Sequence, residues 1–186
     1  MVLIVISLIT SCVRGDDLRV GVATTDITPG TDYPVSGYYS ERLSTGTKDP
    51  LLAKAMVFRQ GDLSAAFVVC DLIAIASDLS NEVRRRVERQ TGIPGDHVIV
   101  AATHTHTGPD YGRELFCVTT GRPMPAGAKE RKPYVPQMID GVTSAVVQAF
   151  EAARPVKLLA GTTLQQTPVA FHRPEGPQCS QNGRSD

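Results

Sequence analysis

The sequence has no excess of charge of either sign, and this absence excludes one broad class of function. Lysine and arginine together number 19, and aspartate and glutamate together also number 19. A nucleic-acid-binding surface requires a surplus of basic side chains, and the densest basic run, Arg84-Arg85-Arg86, stands beside Glu82 and Glu88 in a stretch with helical spacing. We therefore interpret this run as the solvated face of a helix and expect no nucleic-acid partner.

Closely spaced cysteine pairs are also absent. The four cysteines, at positions 12, 70, 117 and 179, lack the C-x-x-C spacing of structural zinc sites and redox motifs. They therefore predict no disulfide framework. Cys70 ends the apolar run Phe67-Val68-Val69-Cys70, so we expect it to be a buried thiol.

No apolar run is long enough to span a bilayer, but a shorter one stands at the amino terminus. MVLIVISLITSC has the length of a signal-peptide core. Its last four residues, Ile9-Thr10-Ser11-Cys12, are similar to a bacterial lipobox, in which the cysteine is lipidated after cleavage. We assign residues 1–15 to a signal peptide or lipoprotein signal and expect export to a secreted, periplasmic or lipid-anchored location. Because no lysine or arginine precedes the run, a buried N-terminal strand is the alternative.

The spacing of apolar residues predicts an α/β fold. Two apolar runs, 51–59 and 63–72, flank Gln60-Gly61-Asp62 and predict a β-hairpin, whose second strand is apolar enough to be covered on both faces. From Ser77, apolar residues recur every four positions, as in an amphipathic helix, and the run His97–Ala102 then predicts a central strand. The expected architecture is a mixed sheet with an internal βαβ unit and flanking helices, the N-terminal part of a larger catalytic domain.

Four further segments complete this organisation. Residues 30–50 and 108–133 are rich in glycine, proline and polar side chains, which predicts surface loops, the second long enough to act as a lid. Residues 135–153 have the apolar spacing of a helix, and residues 156–160 predict a returning strand.

The residues with the clearest chemistry are two histidines, His104 and His106, in the segment Thr103-His104-Thr105-His106-Thr107-Gly108-Pro109. Side chains two positions apart share a face of an extended chain but lie about 200° apart on a helix. Because the segment follows a strand and ends at Gly-Pro, we expect it to be extended, with both imidazoles directed into one site. Two imidazoles suit a zinc ion, although a catalytic zinc requires three protein ligands. A buried structural role is the alternative for such a pair.

Two further residues, His97 and Asp71, are candidates for the same site. His97 begins the same strand, about 23 Å from His104 at the usual rise per residue, so we expect a structural role for it. Asp71 follows the preceding strand, and it meets His104 if the two strands are parallel. We expect it either to orient an imidazole, as carboxylates often do around zinc, or to cap the turn that follows.

Short motifs are spread over roughly residues 18–165. Besides the histidine segment, they are Val20-Gly21, Asp26-Ile27-Thr28-Pro29, Gly37-Tyr38, Asp49-Pro50-Leu51, Cys70-Asp71-Leu72 and Thr91-Gly92-Ile93-Pro94. Together they resemble the N-terminal region of the neutral and alkaline, non-lysosomal ceramidase family. The motifs Asp49-Pro50-Leu51 and Thr103–Pro109 resemble an uncharacterised bacterial-type branch of the family more closely than they resemble the enzymes that act on ceramide.

The resemblance implies a zinc-dependent hydrolase of N-acyl amide bonds, which in this family converts ceramide to sphingosine and a fatty acid. It implies that His104 is a Zn2+ ligand and that His106 is a catalytic imidazole that binds substrate or stabilises the oxyanion. A lipid-like N-acyl amide, such as ceramide, and contact with a membrane surface are the implied partners.

The same resemblance sets the expected domain organisation. Residues 18–170 form a partial ceramidase-like domain, and residues 171–186, which lack apolar periodicity, form a disordered or frameshifted tail. In the family, a second histidine, a glutamate, a tyrosine and a serine complete the site further along the chain, and His172 stands in a different context from that histidine. We therefore expect an incomplete, inactive fragment. The alternatives are a non-catalytic extracellular module and a barrel metallohydrolase, whose HxH pair usually follows the first strand.

Overall fold

The computed structural model describes residues 17–123 and 133–164. These residues form a five-stranded mixed sheet with helices on one face. The strands are Arg19–Asp26 (β1), Leu52–Gln60 (β2), Leu63–Cys70 (β3), Val98–Ala102 (β4) and Arg154–Pro155 (β5). The helices are Ser77–Thr91 (α1), Gly112–Thr120 (α2) and Val135–Glu151 (α3), and a 3-10 helix, Gly95–His97, precedes β4.

Several predicted segments lie outside these residues. They are the signal at residues 1–15, the tail at residues 171–186 and the middle of the predicted lid, residues 124–132. All three stay predictions. Within the described ranges, none of the helices combines the length and the apolar character needed to cross a bilayer.

The sheet has the strand order β4-β3-β2-β1-β5, antiparallel throughout except for the parallel pair β3 and β4. Helix α1 connects β3 to β4, so the predicted βαβ unit is confirmed. β4 lies at an edge of the sheet formed by the described residues, and our prediction of a central strand was wrong. Only one face of this apolar run is covered: Val98 is buried in the core, and its carbonyl accepts a hydrogen bond from Nε of Arg84 in α1 (2.9 Å). Ile99, on the other face, is 56% exposed.

Helix α1 follows its sequence pattern closely. Three residues on one face are fully buried: Leu79, Val83 and Val87. The helix ends at Gly92, which has φ +76° and donates its N–H to the Glu88 carbonyl (2.9 Å). Glycine adopts this left-handed conformation without the steric penalty of a β-carbon, so the Thr-Gly-Ile-Pro stop signal has a direct structural reason.

The two faces of the sheet differ in cover. On the face beneath the helices, alternate residues of β3 are buried: Ala66, Val68 and Cys70. On the other face, one row of partners across four strands is apolar and exposed: Val22 (61%), Met56 (39%), Phe67 (41%) and Ile99 (56%). The prediction that β3 is covered on both faces is therefore wrong for the described residues.

Two pattern-based predictions of element boundaries were also wrong. Residues 112–120, predicted as part of a long loop, form α2, which buries Leu115 and Cys117. The last strand pairs two residues earlier than predicted, because Arg154 and Pro155 lie opposite Val20 and Arg19, while residues 156–160 have no regular structure.

Cys70 is the buried thiol that the sequence predicted, and its burial has a consequence for stability at high pH. Burial, with a further contribution from the Asp71 carboxylate, raises the pKa of the Cys70 thiol from 9.0 to about 12. Above the lower value the unfolded chain loses this proton while the folded chain keeps it. The favourable contribution is therefore complete below the unfolded pKa and is lost as the pH rises toward the folded pKa.

We expect the free energy of unfolding to fall by about 1 kcal/mol per pH unit in this window through Cys70 alone. Urea unfolding of the wild type and of Cys70→Ala, from about pH 8 to about pH 11, measures the difference in slope. Identical pH slopes for the two proteins would show that the folded thiol ionises normally.

Candidate functional site

The Asp71 carboxylate ties together the strand ends from which the histidine segment departs. Its Oδ2 accepts hydrogen bonds from the Leu52 N–H (3.0 Å) and from Nζ of Lys54 (3.2 Å), and its Oδ1 accepts one from the Thr103 hydroxyl (3.2 Å). Because β3 and β4 are parallel neighbours, the residues that follow them meet at the carboxyl ends of the two strands, as predicted. Asp71 thus fixes the backbone of the site.

His104 follows β4 and has an unusual backbone conformation. Its φ is +61°, in the left-handed region, which is uncommon for a residue other than glycine. The prediction that the whole segment is extended is therefore wrong, because the chain turns at His104. Such a conformation persists only where the surroundings impose it, and it is concentrated at functional sites.

The ring of His104 is oriented by a backbone carbonyl. Its Nδ1 lies 2.8 Å from the Ile73 carbonyl oxygen. Since a carbonyl oxygen only accepts hydrogen bonds, Nδ1 is the protonated nitrogen, and Nε2 of the neutral ring carries the free lone pair. Metal-binding histidines are typically held in this way, with a carbonyl or carboxylate on the other nitrogen. Ile73 has the role that we had considered for Asp71.

Tyr111 fixes the loop that carries the Ile73 carbonyl. Its hydroxyl donates to the Ala74 carbonyl (2.7 Å) and accepts the Ala76 N–H (3.1 Å). Burial raises the pKa of Tyr111, so the hydroxyl keeps the proton that it donates. The sequence carried no recognisable signal for either residue, since one acts through its backbone and the other depends on a long-range contact.

The two imidazoles lie together at the surface. The ring centroids of His104 and His106 are 5.1 Å apart, the rings are inclined by 75°, and both residues are exposed. The structure therefore brings both predicted site residues to one place, although by a turn rather than by an extended strand. Their chemical roles stay predictions.

The threonines of the segment serve a different surface. Thr103, Thr105 and Thr107 line a cavity of about 560 Å³, which also includes Asp71 and part of the loop before β2. Neither histidine is among its lining residues. The threonines and the histidines of the segment thus serve different surfaces.

A hairpin formed by residues 32–44 (the 32–44 hairpin) lies within the predicted loop 30–50. The Val35 N–H donates to the Arg42 carbonyl (2.8 Å), and the Ser44 N–H donates to the Tyr33 carbonyl (2.9 Å). At the tip, the Arg42 guanidinium lies 4.0 Å from the centre of the Tyr38 ring.

This hairpin is joined to the end of the histidine segment. The Ser36 N–H donates to the Gly108 carbonyl (2.9 Å), and the Asp110 N–H donates to the Pro34 carbonyl (2.8 Å). These bonds fix the hairpin beside His106, a neighbourhood that sequence spacing did not reveal.

The other candidate ligands lie elsewhere. His97 is at the opposite end of β4, where its Nδ1 lies 3.0 Å from the Ser64 carbonyl oxygen, so its predicted structural role agrees with its position. His172 lies outside the described residues. Within residues 17–123 and 133–164 there is no group of three His, Cys, Asp or Glu side chains placed to hold one metal ion. The described imidazoles therefore suit zinc by donor type but form only part of a ligand set.

Comparison with known proteins agrees with the resemblance found in the motifs. Two curated relatives are similar to this chain: a neutral ceramidase from Mycobacterium tuberculosis (strain ATCC 25618 / H37Rv), 28% identical over 172 residues, and neutral ceramidase 3 from Arabidopsis thaliana, 26% identical over 156 residues. The matches cover 84% and 80% of this chain but only 26% and 20% of the relatives. The chain thus spans about a quarter or less of their length.

Two solved structures share the fold of this chain, and a family-wide sequence model matches its sequence. A neutral ceramidase from Pseudomonas aeruginosa superposes with a TM-score of 0.61 at 23% identity, and a ceramidase complexed with C2 with 0.59 at 24% identity. Each match covers 75% of this chain and 22% of the solved chain, and identities this low show the shared fold alone. Residues 18–170 match the family model described as neutral/alkaline non-lysosomal ceramidase, N-terminal. Because this match covers most of its length, the chain belongs to the neutral/alkaline non-lysosomal ceramidase family.

Proposed function

We propose that this chain supplies part of the active site of a zinc-dependent hydrolase of N-acyl amide bonds. In this site His104 is a zinc ligand through Nε2, and His106 is a catalytic imidazole. The observation that carries the proposal is the geometry of His104, whose Nδ1 is held by the Ile73 carbonyl while a second imidazole lies 5.1 Å away. Family membership supports a ceramidase-like hydrolase.

The chemistry follows from these two side chains. Hydrolysis breaks the C–N bond of the amide, adds the hydroxyl of water to the acyl carbon and transfers a proton to the departing amine. A bound zinc ion supplies Lewis acidity to such a reaction. His106, exposed beside His104, is placed to hydrogen-bond the developing oxyanion or to move a proton.

The proposed substrate is a lipid-like N-acyl amide such as ceramide. The support comes from the relatives, which are named neutral ceramidases, and from a solved relative described as complexed with C2. We also propose that the protein is exported and that it acts at a membrane surface, since both would suit a lipid-like substrate.

We further propose that the 186-residue chain alone binds zinc weakly and does not hydrolyse ceramide. Even two imidazoles would leave a zinc ion largely hydrated, and His104 is the single ligand that we assign here, whereas a catalytic site normally supplies three protein ligands. A barrel metallohydrolase is disfavoured, since β1, β2 and β3 are antiparallel whereas such barrels have parallel strands. A non-catalytic module is the remaining alternative.

The test combines zinc titration of the chain with turnover by a chimera. In the chimera, residues 18–170 replace the matching segment of the Mycobacterium tuberculosis neutral ceramidase, and a fluorescent N-acyl amide reports turnover. We expect His104→Ala to weaken zinc binding at least about tenfold and to abolish turnover. His106→Ala should keep zinc and lower turnover about a hundredfold.

His97→Ala is the matched control, because it removes an imidazole that is exposed at the far end of β4. It should leave both readouts nearly unchanged. Equal zinc occupancy in the wild type and in His104→Ala would end the ligand assignment, even if turnover fell. An active chimera whose turnover depends on neither His104 nor His106 would favour the non-catalytic module.

A further inference from the structure

Gly37 lies directly against the ring of His106. Its φ is +90°, and a β-carbon placed ideally on it would lie 2.6 Å from Cγ, 2.7 Å from Cβ and 2.7 Å from Nδ1 of His106. All three distances are shorter than β-carbons in proteins show. Only a residue without a side chain therefore lets the hairpin backbone and this imidazole approach so closely.

The contact is rigid on the hairpin side. Ser36, the residue before Gly37, is buried and is bonded through its N–H to the Gly108 carbonyl (2.9 Å), and its hydroxyl donates to the same oxygen (3.3 Å). After Gly37, Tyr38 stacks with Arg42 across the hairpin. Gly37 is therefore fixed from both sides, whereas the side chain of His106 is exposed.

We infer that the 32–44 hairpin positions His106, with Gly37 as the positioning residue. The inference rests on the proposed function of His106 and extends it: the hairpin backbone and the His104 ring both lie against this imidazole. An exposed imidazole that is free to rotate would spend little time in one productive geometry, and contact with the hairpin backbone restricts that freedom.

Gly37 could instead be required only for its positive φ. Two other glycines of the chain distinguish this backbone requirement from the contact with His106. Gly92 (φ +76°) and Gly121 (φ +69°) also have positive φ, but a β-carbon on either would meet nothing within 4 Å. Alanine at these positions imposes the backbone cost alone. Alanine at Gly37 imposes that cost and the collision with the ring.

The experiment is NMR spectroscopy of the full chain, labelled at its histidines, at a fixed pH. In the wild type we expect nuclear Overhauser contacts between the Gly37 α-protons and the His106 side chain. In Gly37→Ala we expect loss of the original His106 ring resonances, while Gly92→Ala and Gly121→Ala leave them in place. The Tm of Gly37→Ala should also fall more than that of either control.

A double variant covers the case in which Gly37→Ala does not fold. His106→Gly removes the three nearest atoms that the added β-carbon would strike, so Gly37→Ala in that background should fold and lose no more in Tm than Gly92→Ala. Absence of the wild-type contact, unchanged His106 resonances in a folded Gly37→Ala, or a double variant that also fails to fold would each overturn the inference. Zinc titration of the wild type tests the proposed function separately, because zinc acts first on the resonances of His104.

Discussion

Replacing His104 by glycine is expected to remove zinc binding without lowering the stability of the fold. The left-handed backbone at φ +61° costs a residue with a β-carbon about 1 kcal/mol or more, and glycine avoids this cost. The substitution also loses the hydrogen bond to the Ile73 carbonyl, worth about 1 kcal/mol. These two effects nearly cancel. His104→Ala loses the bond but keeps the strain, so it should be less stable than His104→Gly by about 1 kcal/mol.

The comparison is made by urea unfolding and zinc titration of both variants. His97 provides the matched control, because it has an ordinary backbone conformation, and there alanine should be more stable than glycine. A His104→Gly protein that is less stable than His104→Ala would show that the observed conformation is not strained. The expected order would mean that a strained histidine occupies a position where glycine serves the fold equally well. Such a cost is typical of residues kept for function.

The elements that could be predicted from the sequence are those whose signal is local. In α1, the positions of Leu79, Val83 and Val87 identify the buried face directly, and Gly92 marks the end. The hairpin between β2 and β3 is likewise specified by its short glycine-containing turn. In both cases nearby residues determine the geometry, so no knowledge of distant contacts was needed.

The errors arise where distant contacts decide. Helix α2 has a weak local signal, with glycine at its start and Val118, Thr119 and Thr120 at its end, all poor helix formers. Its position depends on burial of Leu115 and on the contacts of Glu114. The cover of β3 was misjudged for a related reason, since a run of apolar residues does not reveal that Phe67 lies on the face of the sheet that the described residues leave exposed.

The candidate site divides in the same way. The histidine pair could be found from its spacing and its place after a strand. The turn at His104, the Ile73 carbonyl and the approach of Gly37 could not, because each depends on how the loops after β1 and β3 pack against the segment. The sequence thus identified the two imidazoles, whereas the residues that orient them required the structure.

Glu114 connects the 32–44 hairpin to the helical layer through a buried carboxylate. The residue is only 8% exposed. Its Oε2 accepts a hydrogen bond from the Tyr33 hydroxyl (2.7 Å), and its Oε1 accepts the N–H groups of Tyr134 and Val135 (2.7 Å each), at the start of α3. Burial, followed by the bond to Glu114, raises the pKa of Tyr33, so its hydroxyl remains a donor. The carboxylate also faces the positive end of the α3 dipole.

Removal of this carboxylate is expected to be the most destabilising single change that we predict. Glu114→Ala leaves two backbone N–H groups and one hydroxyl buried without partners, and each costs about 1 to 3 kcal/mol, so the free energy of unfolding should fall by about 3 kcal/mol or more. Glu114→Gln should cost less, about 1 to 2 kcal/mol. Its amide oxygen can still accept the two N–H groups, while its amide nitrogen donates to the Tyr33 hydroxyl.

Urea unfolding of these variants and of Tyr33→Phe, alone and combined with Glu114→Ala, measures the effect and its origin. In the wild type, Tyr33→Phe removes a bonded donor and should destabilise the fold. In the Glu114→Ala background that hydroxyl has already lost its acceptor, so the same change should cost nothing or be favourable, giving a coupling of about 1 kcal/mol or more. Glu151→Ala, at the exposed end of α3, is the control and should stay within about 0.5 kcal/mol of the wild type. Additive effects of the two substitutions would contradict the buried contact. A large coupling, together with altered His106 resonances in Glu114→Ala, would show that the helical layer holds the hairpin against the imidazole site.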